Sequence, residues 1–178
     1  MRFLVLPFLL TFAAFGAGEM VGHRAPGFAL PDRNYHYHDP QDYRGKILIV
    51  EFMQTSCPHC AAFSKILEEA AGKYAGKLSV LSVVNPPDTP EKVGQFAVAN
   101  KISIPILFDC GQIAASYIHL VPGKTAGFDI PRVFIIDAAG VIRRDLEYNV
   151  LTKEIFEGRG LFAELDKLLQ AQAAGKQK

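Results

Sequence analysis

Apolar positions along this chain fall into runs that alternate between strand and helix character. Residues 46–53, Lys46-Ile47-Leu48-Ile49-Val50-Glu51-Phe52-Met53, read as a buried strand. Beyond them Phe63, Ile66, Leu67, Ala70 and Tyr74 recur at helical spacing, which predicts a helix over 58–74 closed by Gly76. Residues 78–84 are a continuous apolar run carrying Ser79 and Ser82, consistent with a strand covered on both faces. After the loop Asn85-Pro86-Pro87-Asp88, Thr89 can cap a helix whose first residue is Pro90 and whose apolar side is Val93, Phe96, Ala97 and Ile102. A short strand over 105–108, a short helix over 112–119 and a turn over 123–127 follow. Strands over 133–137 and 141–146, joined by Ala138-Ala139-Gly140, form a hairpin. Leu161, Phe162, Leu165, Leu168 and Leu169 line a final helix, and residues 170–178 are a polar, small-residue stretch expected to fray. Upstream, residues 28–30 suggest a short strand and Asn34-Tyr35-His36-Tyr37-His38 a small hairpin arm, ended by Asp39-Pro40.

Parallel units followed by an antiparallel hairpin define an α/β class: a central mixed sheet with helices on both faces. The length of 178 residues suits one domain, and no internal repeat is visible. Nineteen basic against 18 acidic side chains, with no basic block, speak against nucleic acid as a partner. Three cysteines are too few to staple a small disulfide-rich fold and suit one redox pair plus one spare.

The N-terminus reads as an export signal over residues 1–16. Arg2 is its basic start, residues 3–15 its apolar run, and Ala14-Phe15-Gly16 its small-residue cleavage region. The apolar run is shorter than the roughly 20 residues of a membrane span, although an uncleaved anchor is the alternative. This leaves one domain over 17–172, a flexible polar tail over 173–178, and an expected periplasmic or secreted location where disulfides persist.

The candidate chemistry lies in Thr55-Ser56-Cys57-Pro58-His59-Cys60, at the handover from strand to helix. Two cysteines with two residues between them can close a disulfide or open to a dithiol. Pro58 fits the first helical position, where its missing N–H is not needed. Cys57 then lies where free backbone N–H groups and the helix dipole favour negative charge, and thiolate is the form that attacks disulfides. A zinc site would want a second ligand pair, and none appears; an inert structural disulfide is the other alternative. Glu51 interrupts an apolar run and shares a strand face with Ile47, Ile49 and Met53. Burial there would raise its pKa, whereas an edge position would leave the carboxylate in water. His59 can favour a Cys57 thiolate by charge and hydrogen bonding, or be a merely tolerated exposed side chain. Cys110 is left over, as a partly buried inert thiol or as a third redox centre. His36 and His38 lie two apart and could hold a metal, but no carboxylate or cysteine motif surrounds them. His23 and His119 are isolated.

In order and spacing, the chain resembles the thioredoxin superfamily, and more closely the exported TlpA-like (redoxin, AhpC-TSA-like) thiol–disulfide oxidoreductases. The resemblance covers roughly residues 21–169. It is carried by Val21-Gly22, Ala25-Pro26 and Phe28, by Arg44-Gly45-Lys46 before the strand, and by the Cys57–Cys60 pair. The inserted helix and strand over 91–108 and Ile130-Pro131 before Val133-Phe134-Ile135-Ile136-Asp137 complete it. It implies a thioredoxin fold with an inserted helix–strand and an N-terminal strand and hairpin extension. It also implies Cys57 as attacking sulfur, Cys60 as resolving sulfur, and a cis bond at Ile130–Pro131 beside the pair. Pro131 and Ile130 would shape the substrate groove, a plain turn proline being the alternative. Glu51 would handle the Cys60 proton, where thioredoxins carry Asp. Three departures stand out. Ser56 replaces a common Trp, Arg132 a common Thr, and His59 gives the Cys-Pro-His-Cys dipeptide of the oxidising DsbA proteins.

The expected protein is therefore a monomeric oxidoreductase exchanging disulfides with protein thiols and a redox partner, with no cofactor and no metal. Two alternatives remain at this point. A peroxiredoxin-type peroxidase would set Thr three residues before its nucleophilic Cys and Pro ahead of that, but Gln54 and Val50 stand there. A copper-binding or holdase module of the copper-chaperone type would space its cysteines by three and add a distant His.

Overall fold

The computed structural model describes residues 18–118 and 129–175. The expected signal, His119, the turn over 123–127 and residues 176–178 of the tail lie outside these.

Strand β3 (Ile47–Met53) is buried at all seven positions. It lies third in a five-stranded sheet, in the order β5 (Ile106–Phe108), β4 (Leu78–Val84), β3, β6 (Arg132–Ile136) and β7 (Ile142–Glu147). It pairs in parallel with β4 and antiparallel with β6. Both faces are covered, which is why the run carries no polar alternation. Side chains of a strand point to opposite faces in turn, so β3 feeds two cores. Ile47 and Ile49 join Phe63, Leu67, Val133, Ile135, Leu161 and Leu165 on one face. Leu48, Val50 and Phe52 join Phe28, Leu81, Tyr117 and Phe134 on the other.

Helix α1 (Pro58–Lys73) buries Phe63, Leu67 and Ala70 of the predicted stripe together with Cys60 and Ser64, while Ile66 is only partly buried. Tyr74 is its C-cap, and Gly76 follows with φ 80°, a left-handed conformation open to glycine. Helix α2 (Pro90–Asn100) begins as expected: the Thr89 hydroxyl accepts the Lys92 N–H at 3.3 Å. Ile102 lies beyond it, because Lys101 turns left-handed at φ 58°. Strand β5 (Ile106–Phe108) pairs in parallel with β4, and α3 (Gln112–Tyr117) follows.

At the other edge, β6 and β7 (Ile142–Glu147) form the predicted hairpin. Two further elements follow. Helix α4 (Lys153–Glu157) has no counterpart in the sequence reading; its one buried side chain, Phe156, packs on Phe63 with ring centroids 4.8 Å apart. Helix α5 (Gly160–Gly175) runs into the segment expected to fray, three residues past the expected domain end. The N-terminal extension is a hairpin of β1 (Leu30–Pro31) and β2 (Tyr37–His38). A 3-10 turn over Pro40–Tyr43 follows it, and the Asp32–Leu107 bridge fastens the hairpin to the β5 edge. The thioredoxin-like α/β architecture expected from the sequence is the one observed. No helix among the described residues is long and apolar enough to cross a membrane.

Phe134 is fully buried, edge-on to Phe52 at 6.0 Å and to Tyr117 at 4.9 Å. Phe134→Ala is expected to cost about 3–5 kcal/mol, read as a lowered urea midpoint at unchanged slope.

Candidate active site

The loop from β3 to α1 is held before it reaches the first cysteine. Thr55 donates its N–H to Asp88 Oδ2 at 2.8 Å and its hydroxyl to Oδ1 at 2.5 Å. Asp88 belongs to the loop after β4, so the ends of two neighbouring parallel strands are clamped together. The Cys57 N–H then bonds the Gln54 carbonyl at 3.1 Å. Cys57 is extended (φ −88°, ψ 116°) and serves as the N-cap of α1, with Pro58 in the first turn. Its sulfur accepts the Cys60 N–H at 3.1 Å, the part that a Ser or Asp oxygen plays at other helix starts. Charge on that sulfur meets the positive end of the helix.

The two thiols differ in exposure. Cys57 is half-buried and Cys60 wholly buried; both are free thiols. Burial pushes the Cys60 thiol far above its usual range. The hydrogen bond with Cys57 raises it further, a Gln54 backbone N–H pulls the other way, and the Glu51 charge adds to the rise. Cys60 is therefore a proton-bearing thiol unless something takes that proton.

Glu51 is fully buried on the central strand, so the edge alternative does not hold. Its neighbour across the parallel ladder is Ser82, whose hydroxyl donates to Oε2 at 2.6 Å. Oε1 is buried with no partner among the described residues. Burial pushes the carboxyl up to about 7, against the smaller lowering effect of the Ser82 hydrogen bond. Ser82 was visible beforehand only as a polar interruption of an apolar run.

Ile130–Pro131 is a cis bond. Arg132, next in the chain, makes a forked pair with Asp145: Nε to Oδ1 at 3.0 Å and Nη2 to Oδ2 at 3.1 Å. Nearly all of the Asp145 side chain is buried. This pair anchors the strand start that follows Pro131, and no motif announces it. A groove of about 470 Å³ is lined by His59, Asp129, Ile130, Tyr148, Asn149, Val150 and Lys153.

His59 makes no hydrogen bond to Cys57. Its ring stacks on Tyr148 and its Nδ1 lies 3.1 Å from Glu157 Oε1. Cys110 is exposed rather than partly buried, just before α3. His36 is outside β2, while His38 Nδ1 is 2.7 Å from the Tyr43 hydroxyl. Among the described residues no group of three or more His, Cys, Asp or Glu is arranged to hold a metal.

An accessible cysteine at a helix start, its mate sealed three residues on, and a cis-proline segment alongside define a thiol–disulfide oxidoreductase of thioredoxin fold. The chain belongs to the AhpC/TSA family, whose model matches residues 21–145. It is 28% identical over 149 residues to the thioredoxin-like protein YneN of Bacillus subtilis (strain 168), covering 83% of this chain and 82% of that one. It is 28% identical over 137 residues to the thiol-disulfide oxidoreductase ResA of Geobacillus kaustophilus (strain HTA426), covering 77% and 74%. In three dimensions it is similar to a thioredoxin-family thiol:disulfide interchange protein from Chlorobium tepidum TLS. That likeness has a TM-score of 0.60 at 18% identity, over 75% of this chain and 88% of that one.

The Glu51 carboxyl, ordinarily near 4.5, titrates near 7 in the fold. Between those values the folded chain keeps a proton that the unfolded chain has lost. Stability is therefore full below 4.5, falls as pH rises to about 7, and is level above. The total loss is about 3 kcal/mol. Glu51→Gln removes it. Between pH 4 and pH 8 the urea stability of the reduced variant should gain by that amount relative to the native protein; a constant difference would contradict burial of an ionisable carboxyl.

Proposed function

We propose that this protein is exported and exchanges disulfides with protein thiols outside the cytoplasm. It would act as a monomer, with no bound cofactor in the cycle. The reading is carried by the unequal burial of the two thiols in one Cys-Pro-His-Cys turn. The apolar N-terminal run over residues 1–16 supports export, and the cysteine pair agrees with a compartment in which disulfides last.

In the reducing direction, the Cys57 thiolate attacks one sulfur of a substrate disulfide. A mixed disulfide forms, the substrate bond breaks, and the departing sulfur takes up a proton. Cys60 then gives up its proton and attacks the Cys57 sulfur. The second substrate thiol leaves, the Cys57–Cys60 disulfide forms, and two electrons have passed to the substrate. A redox partner returns them by the same steps reversed. Run backwards, the cycle oxidises a substrate dithiol. Glu51, with one oxygen unpartnered and its pKa moved toward neutrality, is suited to receive the Cys60 proton. The cis Ile130–Pro131 segment would seat an extended peptide, with the Ile130 backbone groups as its partners.

Peroxide reduction is the second reading, because the chain is also 30% identical over 139 residues to proteins of Mycobacterium tuberculosis named putative peroxiredoxins. Gln54 and Val50 stand where such enzymes carry Thr and Pro, which weighs against it.

Two substitutions test the reading. Cys57→Ser should bring insulin reduction to the uncatalysed rate. Cys60→Ser should accumulate a mixed disulfide at Cys57 that intact-mass measurement detects. Retained insulin reduction in Cys57→Ser, or peroxide consumption faster than disulfide exchange in the native protein, would overturn it.

A further inference from the structure

The His59 imidazole is built into a cluster that spans two elements. Its ring lies on that of Tyr148, centroids 4.2 Å apart and planes 26° from parallel. Its Nδ1 is 3.1 Å from Glu157 Oε1, and the Tyr148 hydroxyl donates to that same oxygen at 2.5 Å. Lys153 Nζ is 3.4 Å from the other oxygen. The cluster has a firm base. Phe156, beside Glu157 in α4, is fully buried against Phe63 of α1, and Tyr148 meets its ring edge-on at 5.8 Å. Donation by Tyr148, with help from Lys153 and His59, keeps the Glu157 carboxyl below its usual range, so it remains an anion.

The arrangement bears on the cysteines because His59 is in the first turn of α1, two residues after Cys57. An imidazole there is well placed to support the sulfur's charge. In this protein its Nδ1 faces Glu157 and its ring is stacked on Tyr148, while the hydrogen bond that Cys57 accepts comes from the Cys60 backbone. The other charged groups lining the groove are Lys153 from α4 and Asp129 from the segment before Pro131.

We propose that Glu157 and Tyr148 are positioning residues that hold His59 away from the Cys57 sulfur, so that the pair is less oxidising than its Cys-Pro-His-Cys turn would otherwise make it. This rests on Cys57 being the attacking sulfur.

The test is a double-mutant cycle read as the equilibrium constant of the Cys57–Cys60 pair with glutathione at pH 7. In the native background, His59→Ala should change the constant by less than about twofold. In the Glu157→Gln background, where the freed imidazole can turn to the sulfur, the same change should make the pair more reducing by about fivefold or more. Gln keeps the size of Glu and still accepts from Tyr148, so α4 retains its shape. Tyr148→Leu removes the stacking ring from the other side and should also unmask the His59 effect. A full His59→Ala effect in the native background overturns the proposal. So does an equal effect in all backgrounds, since Glu157 would then act by its own charge alone. A native protein that forms no Cys57–Cys60 disulfide in glutathione overturns the oxidoreductase reading itself, and is told apart because no member of the cycle then has an equilibrium to measure.

Discussion

The chemistry of this protein depends on the unequal burial of two sulfurs three residues apart. Cys57 is the last extended residue before α1 and Cys60 is inside its first turn. A helix start leaves N–H groups without partners, and Cys57 Sγ takes one of them. The same turn carries Cys60 inward, into the buried cluster that holds Met53, Val84 and Ile106. One sulfur can therefore meet a substrate while the other can meet only its neighbour. Thr55 and Asp88 keep that geometry in place by tying the loop to the next parallel strand.

Polar groups inside an otherwise apolar sheet are the second feature. Glu51 and Ser82 face each other across the β3–β4 ladder. A carboxyl buried with one oxygen unpartnered is stable as the neutral acid and weakens the fold once ionised. Such a group is poorly suited to holding a fold together; trading a proton with Cys60 near neutral pH is the role proposed for it. The Arg132–Asp145 pair is of another kind. Its forked geometry satisfies both partners, so it fastens the chain beside Pro131. Losing either partner would leave a largely buried charge, at a cost of about 3–5 kcal/mol.

Much of the fold was legible because its signals are local. The β3 run, the α1 stripe and the Thr89-Pro90 start of α2 each announce themselves within a dozen residues. The cysteine pair and Ile130-Pro131 are likewise short motifs. Helix α4 was not legible, because five residues with one buried side chain establish no period. The end of α5 was misjudged because Gln-Ala-Gln-Ala-Ala lacks an apolar stripe, although Ala and Gln favour helix. At the site, the Glu51–Ser82 contact could have been found by setting the two strand runs in register. The partner of His59 could not. Glu157 is 98 positions away in a segment without a motif, and the packing of Phe156 on Phe63 helps to bring it near.

The unequal reach of the two sulfurs is open to direct measurement. The reduced native protein is treated briefly with iodoacetamide and the labelled peptides are mapped, with exposed Cys110 as an internal reference. The account predicts label on Cys57, and on Cys60 only after unfolding. Labelling of Cys60 in the folded protein as fast as Cys57 would contradict it.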